Sequence, residues 1–206
     1  MKTYLTALST TALISMAPFA LAASSTDLTV TGLITPSACT PSLSNGGIVD
    51  NGKVSVKDLD PIKDTLIGIH PLQLTVACEA STLLALDSTD NRAGSGTQTG
   101  WFGLGLTDAG EKLGSFLVDI KQTLADSVIA QAIVSDDDGR TWFKGWAITP
   151  DDLTSVGSAA DHTQPIAVKD LTMDLSVWTY IAPADSLTLT DDVIMDGSAT
   201  LTVKYL

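Results

Sequence analysis

Reactive side chains are scarce in this sequence. His70 and His162 are its only histidines, and Cys39 and Cys78 its only cysteines. Neither histidine has a cysteine or a second histidine at ligand spacing, so no zinc site can be read. A Ser-His-Asp set is not bound to one chain order, but the strained G-x-S-x-G turn that exposes a nucleophilic serine is absent. His70, between Ile69 and Pro71 and just ahead of an alternating segment, reads as a packed or surface residue. The chain is therefore expected to hold no metal or cofactor and to catalyse no reaction.

Two further patterns have chemical meanings and a plainer one. Ser135-Asp136-Asp137-Asp138-Gly139-Arg140-Thr141-Trp142 fits S-x-D-x-G-x-T-W, the Asp-box repeated in sialidase-like propellers, but occurs once. The expected role is a hairpin turn: the aspartate braces the backbone, the glycine takes positive φ, and the tryptophan packs beneath. A calcium loop would need spaced ligands and a distant glutamate, which this run lacks. Trp101, Trp142, Trp146 and Trp178 lie in strand-like surroundings and are expected in the core rather than as sugar-stacking platforms.

The elements that must position any site are strands. Leu28, Val30, Gly32 and Ile34 alternate with Thr29, Thr31 and Leu33, and Leu72, Leu74 and Val76 alternate with Gln73, Thr75 and Ala77. Further strands are expected over 54–59, 83–88, 101–106, 116–122, 128–134, 142–148 and 166–180, and a last one over 197–206. Turn clusters fall at 44–47, 90–96 and 136–139. The stretch 117–132 could also be read as a short helix. Many short strands at this spacing predict an all-β sandwich.

The first 22 residues carry Lys2, an apolar run and the small-residue end Ala20-Leu21-Ala22, the pattern of a secretory signal peptide cut to leave Ala23 first. Ser, Thr and Pro18 interrupt that run and no basic stop-transfer segment follows, so no membrane anchor is expected after cleavage. An exported chain with two cysteines is expected to bond Cys39 to Cys78, the alternative being two buried thiols. A net charge of −13 argues against nucleic acid and for mutual repulsion at a surface. A hydrophobic content of 44% fits one globular core, expected over 39–206.

Val30-x-Gly32-x-Ile34 with Cys39 seven residues after the glycine, a second cysteine 39 residues on, and Gly197-x-Ala199-x-Leu201-x-Val203-x-Tyr205 at the end occur here in that order. In this the chain resembles the pilins of the chaperone/usher pathway. Pro36-Ser37-Ala38-Cys39-Thr40-Pro41 and the stretch Leu86 to Ala93 look like the β-fimbrial major-subunit branch filed under a domain of unknown function. In many pilins the last-strand glycine lies further from the C-terminus than Gly197.

The resemblance implies an incomplete immunoglobulin-like sandwich and a donor-strand extension over 23–38. Its partners would be a periplasmic chaperone, an outer-membrane usher and neighbouring subunits of a homopolymer, and it would be displayed on the cell surface in a fimbria. Leu28, Val30 and Ile34 would anchor in a neighbour's groove, and Gly32 would pass its narrowest part. Ala199, Leu201, Val203 and Tyr205 would line the groove edge and meet the chaperone. Burying three aliphatic anchors is worth roughly 5 to 9 kcal/mol. Alternatively 28–34 is the domain's own first strand with Gly32 at a bulge, or the chain is a carbohydrate-binding or adhesin module.

Overall fold

The computed structural model describes Thr29 and residues 38–206. Residues 1–22, expected to be a signal peptide, and Leu28, Val30, Gly32 and Ile34, expected to be anchors, lie outside the described residues.

The described chain is all-β. Its strands are β1 (Cys39–Leu43), β2 (Thr65–Thr82), β3 (Leu84–Asp90), β4 (Phe102–Gly103), β5 (Gly114–Ala125), β6 (Val128–Ser135), β7 (Phe143–Lys144), β8 (Ala147–Ile148), β9 (Leu153–Gly157), β10 (Val168–Ile181) and β11 (Ala199–Tyr205). The path β1-β2-β10-β5-β6-β9-β3-β11 is antiparallel throughout. It doubles over at the β5–β6 hairpin, so β1-β2-β10-β5 face β6-β9-β3-β11 as two layers. Leu74, Val76, Leu86, Val156, Leu171 and Met173, from strands of both layers, are all buried in the core between them.

Alternation explains most of this. Leu72, Leu74, Val76 and Cys78 are buried while Gln73, Ala77 and Glu79 between them are exposed. β2 is far longer than 72–77, and it passes through Pro71. The pairing with β1 uses the backbone of odd-numbered β2 residues, as the bond from Glu79 N–H to the Ala38 carbonyl (3.1 Å) shows. Pro71 therefore turns its missing donor toward the side where β1 has already ended at Leu43, and no ladder bond is lost.

Several expectations are corrected. Residues 54–59 form no strand but an irregular segment with a single 3-10 turn, Val56–Asp58. Just beyond it Asp60 Oδ1 accepts the N–H groups of Ile62 (2.9 Å) and Lys63 (3.0 Å), turning the chain at Pro61 instead of extending it. The stretch 101–106 keeps only β4, since Gly105 takes φ +91°. The stretch 142–148 divides at Gly145 into β7 on β6 and β8 on β5. The helical reading of 117–132 fails at Asp126 and Ser127, whose φ values of 49° and 67° make a two-residue hairpin turn. β9 was not anticipated: all five residues are buried, Thr154 and Ser155 among them, so no exposed position marks the period.

Candidate functional site

The two ends of the strand path, β1 and β11, lie beside one another. Among the described residues each pairs on one side only, β1 with β2 and β11 with β3. Seven antiparallel steps leave them running in opposite directions. Among the described residues no backbone ladder joins them. One bond crosses at the disulfide end, where the Cys39 N–H donates to the Tyr205 hydroxyl at 2.9 Å. The disulfide Cys39–Cys78 fastens β1 to β2 at the same level.

The register tells which way the backbone faces. Asn91 N–H donates to the Ser198 carbonyl (2.9 Å) and Leu206 N–H to that of Leu83 (3.1 Å), so even-numbered residues serve the pairing with β3. Ala199, Leu201, Val203 and Tyr205 turn their N–H and C=O groups the other way, toward β1. On β1, Cys39, Pro41 and Leu43 face β11 by the same reasoning.

Between the edges lies an apolar cleft of about 260 Å³. Leu43 and Val49 form one wall, Ala199 and Leu201 the other, and Phe116, Val118 and Val177 lie beneath. Phe102 and Phe116 stack with centroids 5.0 Å apart. Gly197 reaches the floor because it has no side chain: a Cβ there would stand 2.9 Å from Leu104 Cδ2 and 3.0 Å from Phe116 Cε1. Met195 also lines a second hollow of about 320 Å³, which carries the cleft on between Val54, Val56 and Leu59 and the stretch Leu189–Met195.

Of the residues expected to form the groove edge, Ala199 and Leu201 stand on the cleft wall, Val203 is half-buried against the main core, and Tyr205 ties across to Cys39. Sequence reasoning missed the opposite wall, Leu43 to Leu59. Its only signal was Val54-x-Val56, and that was read as a strand. It also missed the stretch 187–197, which is fixed at both ends. Glu111 accepts the Thr188 N–H (2.7 Å) and hydroxyl (2.8 Å), which hold its carboxyl below the usual range, and Arg92 pairs with Asp196 (2.5 Å).

The remaining singled-out residues have structural partners. His70 Nε2 bonds Asn51 Oδ1 at 3.0 Å, and His162 sits in an exposed turn where Asp161 accepts the Thr163 hydroxyl and N–H. The single Asp-box is a turn: Asp137 Oδ1 accepts Arg140 N–H (3.0 Å) and Thr141 N–H (2.9 Å), Gly139 has φ +85°, and Trp142 is buried. The tryptophans divide. Trp142 is buried, Trp101 and Trp178 are half-buried, but Trp146 is 61% exposed, against expectation. It sits where β5 and β6 part and residues 145–148 fill the fork, which turns its ring outward.

The family model described as "Protein of unknown function (DUF1120)" matches residues 28–101, from the alternating segment through both cysteines and β3. The chain is 30% identical to "Uncharacterized protein YhcF" of Escherichia coli (strain K12) over a 213-position alignment covering 82% of this chain and 85% of that protein. The chain belongs to this family. Protein GltF of the same strain is 28% identical over 252 positions, covering 100% of this chain and 99% of its own. The DUF1120 match ends at Trp101, so the β11 wall of the cleft lies outside it and only the β1 wall lies within.

Proposed function

We infer that this DUF1120 protein is a structural subunit of a bacterial fimbria, exported and assembled by the chaperone/usher route, whose cleft takes up an extended apolar strand. The observation that carries this is the pair of facing, unjoined edges, with β11 turning side chains and backbone groups of the same alternate residues into one apolar cleft. Such a surface is stabilised by β-strand addition, since an alternating strand offers apolar side chains and backbone partners together.

The occupant we assign is the stretch 28–34 of a second copy, with Leu28, Val30 and Ile34 inward. The sequence reaches Cys39, at the end of the cleft spanned by Tyr205, immediately after that stretch. To fill its own cleft the segment would have to reverse within residues 35–38, which include Pro36; a neighbour's segment needs no reversal. A chaperone strand would hold the same cleft before assembly, and the usher would exchange the two.

The test compares the exported wild-type chain with Val30→Asp on unheated gels and by negative-stain microscopy. Wild type is expected to give a ladder of multimers and fibres, and Val30→Asp a folded, disulfide-bonded monomer. An unfolded Val30→Asp monomer would make 28–34 an internal strand, and an unchanged ladder would remove the cleft from assembly. The second reading, a carbohydrate-binding module, is favoured by the exposed ring of Trp146 alone. It predicts glycan binding that Trp146→Ala abolishes.

A further inference from the structure

The Asp-box turn, which the strand-capture reading does not use, stands against the end of β11. Asp138 Oδ1 lies 3.1 Å from Lys204 Nζ, with both side chains at the surface. A Cβ on Gly139 would stand 3.4 Å from Trp142, 3.7 Å from Leu153 and 3.9 Å from Leu206. Trp142 clusters with Ala85, Ile133 and Leu153, and Ala85 is the register partner of Lys204. The turn thus reaches the last residues of β11 directly and through β3.

The turn is also built to keep its shape. Ser135 Oγ donates to Asp137 Oδ1 (2.8 Å) and accepts the Gly139 N–H (2.8 Å); Thr141 donates its hydroxyl to Asp137 Oδ2 (2.7 Å); and Trp142 Nε1 donates to the Gly139 carbonyl (3.0 Å). An edge strand lacks a ladder on one side and frays from its free end. Tyr205 holds β11 to β1 from the cleft side, and the Asp-box turn, at the end of β6, holds it from within its own layer.

We propose that the Asp-box turn is a positioning brace for the C-terminal edge strand, holding Val203–Leu206 extended so that the cleft can capture a strand. This rests on the strand-capture reading for its purpose, though not for its geometry. Asp137 and Asp138 are positioning residues, and neither is expected to touch the captured strand.

The experiment uses the full chain and two readouts: amide exchange at 203–206 against exchange in β2 and β10, and affinity for a synthetic peptide of residues 23–38. Asp137→Ala is expected to speed exchange at 203–206 at least tenfold while β2 and β10 stay unchanged, and to weaken peptide binding by a similar factor. Lys204→Asp should weaken binding roughly threefold, as fits an exposed ion pair, and Asp138→Lys in the same chain should restore it. Should Asp137→Ala fail to fold, this surface exchange decides alone: no loss, or no rescue, overturns the brace. Wild-type exchange at 203–206 in a folded Asp137→Ala protein would also overturn it. If wild type binds no peptide, the strand-capture reading fails, and the exchange rates still decide the brace.

Discussion

The two edges that border the cleft differ in almost every respect that governs pairing. β1 has five residues, is fastened to β2 by a disulfide, and faces the cleft through Cys39, Pro41 and Leu43. Cys39 already gives its N–H to Tyr205, and Pro41 has none, which leaves Leu43 as the one donor on this edge with no partner among the described residues. β11 has seven residues and no proline, and it presents N–H and C=O groups from Ala199, Leu201, Val203 and Tyr205. One edge is anchored and nearly silent as a donor, and the other is receptive. A strand lying between them would be laddered mainly to β11, with β1 supplying an apolar wall. Proline at an edge is a common guard against unwanted pairing, and here it directs pairing to the opposite side.

The strongest way to break this contrast is to spoil the receptive edge. Leu201→Asp places a charge on the cleft wall, where an unpaired ion costs several kcal/mol against an apolar partner. Binding of the 23–38 peptide, read by titration calorimetry, is expected to vanish while the disulfide forms normally.

Removing the anchor of the silent edge comes next. Cys39→Ser with Cys78→Ser should lower stability by about 2–5 kcal/mol, measured as a shift of the urea midpoint, with β1 amides losing protection before those of β11. Tyr205→Phe, which leaves the Cys39 N–H without its acceptor, should cost about 1 kcal/mol and speed exchange at Cys39.

A pH titration probes the brace behind β11. The Thr141 hydroxyl, then its N–H and the Ser135 hydroxyl, hold the Asp137 carboxyl down at about 2. A depressed carboxylate adds stability above its ordinary pKa and loses it as pH falls through the folded value. Protection at 203–206 should therefore persist through pH 4 and decline only toward pH 2, whereas Asp137→Asn should show no such decline. The smallest effect is expected from Pro41→Ala: stability within about 0.5 kcal/mol, and slightly tighter peptide binding as β1 regains a donor. No gain would mean the captured strand never reaches β1.

Much of this architecture could be read in advance, for a physical reason. Strands with one face in the core and one in water, such as 72–78 and 199–205, print the period of two in the sequence. The cysteine pair followed from parity and from the export that the first residues lead one to expect. The receptive wall was legible as Ala199, Leu201, Val203 and Tyr205, since the same alternation sets side chains and backbone direction. What stayed hidden either lacks alternation or lies between strands. β9 is buried on both faces, β1 is disguised by Pro41, and the cleft's other wall is an irregular segment packed by contacts distant in sequence. Leu43 and Val49 signal nothing locally; they become a wall only because β11, which begins at Ala199, lies across the cleft from them.

The position of the disulfide has a mechanical consequence. Cys39 is the first residue of β1, so tension applied to the chain ahead of it would arrive at that residue. β1 pairs antiparallel with β2, and a pull from its start would peel the ladder open one pair at a time, beginning at Cys39↔Cys78. That pair is the one joined covalently. Peeling cannot start, and the tension passes into β2, an 18-residue strand paired with β1 along part of its length and with β10 along most of it. Rupture would then require shearing many hydrogen bonds at once, so the short strand β1 is relieved of bearing the pull.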